Sequence, residues 1–123
     1  FGTLGSSMDP SSGIFTFPTT GYWLIIFTCG LSASGAARTQ ARQSIQTTVN
    51  AGSGDTYDTA AGGRSNYYAA STHSQETVIF LFDVESTTTH KFKLTVSGAN
   101  TMIVQSSANQ NETFVTCIRL GDT

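Results

Sequence analysis

From Tyr22 to Leu31 the chain is built to be covered on both sides, with Trp23, Ile25, Phe27 and Cys29 on one alternating face and Tyr22, Leu24, Ile26 and Thr28 on the other. Such a run reads as a β-strand buried above and below. The residues before it set its start. Pro18 lacks a backbone donor and has a fixed φ, so it ends a short strand at Ile14–Phe17, and Gly21 restarts the chain. Thr77–Val84 repeats the doubly apolar character, with Val78, Phe80, Phe82 and Val84 on one face and Ile79 and Leu81 on the other. The strand at Lys91–Ser97 does not: Phe92, Leu94 and Val96 alternate with Lys91, Lys93 and Thr95, which is the pattern of one face in the core and one in water. A lone two-sheet sandwich buries only one face of each sheet. The extra apolar faces therefore call for a further cover, and association between copies of the chain is the economical one.

Further strands are expected at Arg42–Val49, Asn66–Ala70, Thr101–Gln105 and Thr113–Leu120. No segment has helical periodicity. The Ala-rich Ser32–Gln43 stretch is read as a loop entering a strand, with Arg38 and Arg42 solvated, and Ala51–Arg64 as one long loop rich in Gly, Ala, Ser and Asp. Eight strands with short turns imply an all-β, antiparallel two-sheet sandwich, with jelly roll the favoured topology. At 123 residues, with no internal repeat or linker, residues 1–123 form one domain. The chain starts at Phe1 without an initiator methionine and is expected to be a cleaved product or the C-terminal head of a longer chain.

Charged residues are 11% of the chain against a usual ~25%, and 35 positions are Ser or Thr, so hydroxyls and amides must solvate the surface. The six Lys and Arg are scattered and the net charge is −2, which argues against nucleic acid as a partner. No apolar run is long enough to span a bilayer, and no signal peptide is read at the N-terminus, so membrane insertion is not expected. Two cysteines leave both a Cys29–Cys117 disulfide and two buried thiols open, and the thiols are favoured.

Phe15, Gly21, Trp23, Ile25 and Phe27 resemble the aromatic signature of the globular head of complement C1q and its tumour necrosis factor relatives: a phenylalanine, five residues, a glycine, then aromatic or apolar residues at alternate positions. Ile25 stands where that family usually has Phe. Glu112–Leu120 looks like the family's last strand, with Thr116 in place of a usual Gly. The resemblance implies a jelly roll that assembles as a homotrimer through the sheet holding the first and last strands. The residues expected on the trimer and core strands are Phe15, Trp23, Ile25, Phe27, Ile79, Leu81, Phe114, Ile118 and Leu120. It further implies ligand binding through loops and outer surfaces, without catalysis. Members occur on collagen-like stalks in animals and at the tips of viral and phage fibres. The hydroxyl-rich, lysine-poor composition favours a virion surface module that binds a host-surface glycan or protein. The alternatives are a secreted C1q-like ligand-binding domain, and a purely architectural capsid or tail component that contacts neighbouring virion proteins. The expected location is the virion surface or the extracellular space.

Little in the sequence looks catalytic. His73 and His90 are read as solvent-facing, and Ala60–Arg64 lacks the spacing of a phosphate loop. Asp55 and Asp58 could offer oxygens to Ca²⁺, but without regular ligand spacing they are better read as turn aspartates, and no cofactor is expected. Asn111-Glu-Thr113 fits an N-glycosylation acceptor. Tyr57, Tyr67 and Tyr68 offer flat faces with polar tips, although strand burial is favoured for the Tyr67–Tyr68 pair. The candidate ligand surface is therefore Asp55, Tyr57, Asp58, Arg64 and Asn66.

Overall fold

The computed structural model describes residues 5–8, 10–33, 38–52, 54–67, 69, 71–98 and 102–123. The side chains of residues 38, 39 and 67 are not described. Tyr67 and Tyr68 as binding aromatics, and part of the turn at 98–100, thus lie outside what is described. Eight strands follow in order: β1 (Ile14–Thr16), β2 (Gly21–Ala33), β3 (Arg38–Thr48), β4 (Asp58–Tyr67), β5 (His73–Val84), β6 (Lys91–Gly98), β7 (Met102–Val104) and β8 (Phe114–Gly121). They form an all-β sandwich of two antiparallel sheets. One has the order β1-β6-β3-β4; in the other, β2 pairs β5 on one edge and β8 and then β7 on the other.

Alternation along β2 sets the core. Trp23, Ile25, Phe27, Cys29 and Leu31 point inward and are buried, meeting Val78, Phe82 and Val84 of β5 and Ala41, Ile45 and Phe92 of the facing sheet. Phe17 closes one end of this core, with its ring 5.5 Å from Trp23, 5.3 Å from Phe92 and 5.7 Å from Phe82. Phe15 stacks on Phe92 at 4.6 Å and packs against the core from β1. The aromatic signature is therefore a packing device. Phe15 stacks on Phe92 within its own sheet, Trp23 meets Phe17, the ring that also touches Phe82 and Phe92 on the two sheets, and the Trp23 indole N–H donates to the Thr19 carbonyl at 3.1 Å, fixing the turn around Pro18.

Gly21 has φ +130°, and a Cβ there would run into the Gly121 carbonyl and lie 2.9 Å from Arg119 Nε. At that corner Arg119 Nε donates to the Thr20 carbonyl at 2.9 Å, and its Nη2 pairs with Asp122. The glycine is required by the approach of the last strand.

Several expectations need correction. The strand expected at Asn66–Ala70 runs instead from Asp58 to Tyr67, so the loop expected at Ala51–Arg64 shrinks to 51–57. The reason is that β4 is specified by pairing with β3 rather than by its own composition, which is poor in β-branched residues. His90 is buried, stacked on Phe82 at 5.7 Å, with Nδ1 3.1 Å from Thr89 Oγ1. Cys29 and Cys117 are free. Cys117 lies opposite Ile25 across β2 and β8, so Cys29 is four residues further along, about 13 Å at the usual strand rise and beyond disulfide reach.

Candidate functional site

The two outer faces of the sandwich differ in chemistry. On the sheet centred on β2, registers Leu24↔Leu81, Ile26↔Ile79 and Leu24↔Ile118 place one apolar row beside another. Ile79 is 57%, Leu81 53%, Ile118 44% and Leu120 58% exposed. Leu24, Ile26 and Phe114 are half-buried beside them. Toward β7 this face turns polar: the Thr28 and Thr77 hydroxyls lie 3.0 Å apart, and a cleft of about 250 Å³ over Gly30 is walled by His73, Gln75, Gln105 and Glu112.

The other sheet's outer face carries four of the five Lys and Arg side chains that are described. Lys91 and Lys93 of β6 face the same way as Gln46 and Thr48 of β3, and Arg42 of β3 lies directly opposite Arg64 of β4. Lys91 Nζ donates to Thr16 Oγ1 at 2.9 Å. Lys93 Nζ sits 4.4 Å from the centre of the Tyr57 ring, a cation–π contact that holds the ring over the sheet.

The five residues of the expected ligand surface do not form one cluster. Asp55 is a loop group whose carboxylate accepts the Gly52 backbone N–H. Tyr57 is half-buried by its packing over Lys93, and its hydroxyl has no hydrogen-bond partner. Burial, and secondly the Asp55 charge, raise the Tyr57 pKa. Asp58 pairs with Thr47 and borders a shallow cavity with Val49, Asn50 and Thr56 at the end of β3 and β4. The β3–β4 register shifts between Ile45 and Gln46, which puts Asp58 on the opposite face from Arg64. Arg64 and Asn66 are exposed toward the far end of β4. Tyr57 and Arg64 thus share an outer face but stand apart along it.

Arg42, Ser44, Gly62 and Lys93 join that face through pairing. The one sequence signal for it is Gly62-Gly63 inside what proves to be a strand, where glycine often marks a close approach. Among the described residues no three His, Cys, Asp or Glu side chains come together as a metal cage, and no helix is long and apolar enough to cross a membrane. No known family model matches the chain, and no curated protein matches it.

Proposed function

We propose that this chain is a non-enzymatic head domain of C1q and tumour necrosis factor type. In this reading it assembles as a homotrimer through the outer face of β5, β2 and β8, and turns its polar sheet toward a glycan or protein on a host cell surface. The observation that carries the assembly is the row Ile79, Leu81, Ile118 and Leu120, each more than two-fifths exposed, on strands whose inner faces already fill the core. Covering these side chains with matching ones from two further copies would return roughly 1 kcal/mol for each half-exposed side chain. The last strand lies beside β2 in the sheet that would form the trimer, whereas β1, the first strand described, pairs β6 in the other sheet beside β3 and β4, so the face assigned to assembly is that of β5, β2 and β8 rather than one holding the first and last described strands. The abundance of Ser and Thr, with only two lysines, supports display on a virus particle.

On such a trimer the polar faces occur in threes. Three weak contacts engaged together give avidity far above that of any single one. Native mass spectrometry at micromolar concentration tests the assembly directly. A predominant mass of three chains is expected, and a spectrum of monomer alone would remove the reading.

A further inference from the structure

The pair Arg42 and Arg64 is the least satisfied charge arrangement among the described residues. The two side chains lie directly opposite one another on β3 and β4, both exposed, on the same outer face. Like charges so placed repel. No described carboxylate lies within ion-pair distance of either, Glu76 lying against Gly63 on the other side of β4, and neither guanidinium donates a hydrogen bond to a described residue.

Beside them β4 is bare. Gly62 is exposed and pairs with Ser44. The point where a Cβ of residue 62 would stand lies 3.3 Å from the Gln43 carbonyl oxygen, 3.4 Å from Ser44 Oγ and 3.6 Å from Arg42 Nε. Ser44 itself is only 4% exposed, so its hydroxyl is held in place by packing around it. A notch that a methyl group would fill is thus bordered by a fixed hydroxyl and a guanidinium, with a second guanidinium two residues along β4. Arg presents planar, forked donors that match an oxyanion, and a hydroxyl at the floor of the notch can add a third donor.

We infer that this notch binds the anionic group of an acidic glycan, a carboxylate or a sulfate, over Gly62 and between Arg42, Ser44 and Arg64. The inference deepens the recognition role proposed above and rests on it for the choice of a saccharide. An oxyanion over Gly62 relieves the repulsion between the two arginines, in a space that any side chain at that position would narrow. The sugar ring then lies along the polar outer sheet.

The test is a titration of isotope-labelled protein, followed by NMR at the Arg42 and Arg64 Nε–Hε signals, with three probes: 3′-sialyllactose, lactose 3′-sulfate and neutral lactose. One or both acidic sugars should shift the two signals saturably, and lactose should not. The acidic sugar that binds identifies the group as carboxylate or sulfate. Arg42→Gln and Arg64→Gln should each weaken binding at least tenfold. Gly62→Ala leaves every charge in place and should also weaken it at least tenfold by filling the notch, with the folded spectrum retained. Absence of a saturable shift with either acidic sugar would overturn the inference, as would equal binding by wild type and Gly62→Ala. Native mass spectrometry on the same samples keeps the two ideas apart. A trimer that binds neither acidic sugar loses this site alone, whereas a monomer that binds one keeps the site and loses the assembly.

Discussion

Gly21 shows how one position can carry a constraint from the far end of the chain. Its φ of +130° is open to glycine and strained for other residues, and the Gly121 carbonyl and Arg119 side chain occupy the space a Cβ would need. The obstacle is mainly backbone, so it cannot swing aside as a flexible side chain would. Gly21→Ala is expected to cost ~3 kcal/mol or more, combining backbone strain with displacement of β8. Urea unfolding should show this as a lower midpoint at unchanged slope, and a midpoint within error of wild type would refute it. The two cysteines make a second residue-scale case. Burial raises the Cys29 pKa, and that of Cys117 to about 11 from an ordinary 9.0. The neutral thiols are favoured in the folded state. Their contribution is therefore complete below pH ~9 and is lost as the pH climbs from there toward 11, where the unfolded chain gains by ionising first. Thermal unfolding of Cys117→Ala should fall less steeply between pH 8.5 and 10.5 than that of wild type, and parallel curves would count against the assignment.

Among the elements, β2, β5, β6 and β8 were legible in the sequence because alternation of large apolar groups is a local signal that survives without knowledge of partners. The outer row Ile79–Leu81 followed from the same alternation, since a period of two fixes both faces once it fixes either. β4 was not legible. Asp58, Ala60, Ala61, Gly62 and Gly63 have weak strand propensity, and the strand exists because β3 supplies one full edge of hydrogen-bonding partners. The candidate site suffered from the same blindness. Loop composition points to Arg64, but Arg42 lies 22 positions earlier and meets it only through the register of β4 with β3. Sequence proximity groups Asp58 with Arg64, and the shift between Ile45 and Gln46 separates them. The sequence presents Tyr57 as an open aromatic face, yet Lys93, 36 positions away, holds it against the sheet. His90 differs from its expected solvent-facing place for a related reason: it stacks on Phe82, which belongs to the opposite sheet.

For the molecule as a whole, the division of labour between faces has a thermodynamic consequence that does not depend on any ligand. If three chains fold and associate together, unfolding releases three particles from one, and dilution favours release. At ~0.7 kcal/mol per residue, unfolding three chains of this length absorbs roughly 260 kcal/mol near 60 °C. The midpoint should then rise by roughly 4 °C for each tenfold increase in protein concentration. A monomer shows no such dependence. Replacing Ile79 and Leu81 together by Glu adds two like charges to the outer face of β5 without touching Val78, Phe82 or Val84 in the core. The variant should remain folded, and its midpoint should not depend on concentration. Calorimetry of both proteins across a hundredfold range of concentration gives the decision. A flat wild-type midpoint, or a double variant that keeps the wild-type slope, would show that this apolar sheet face is not where the copies meet.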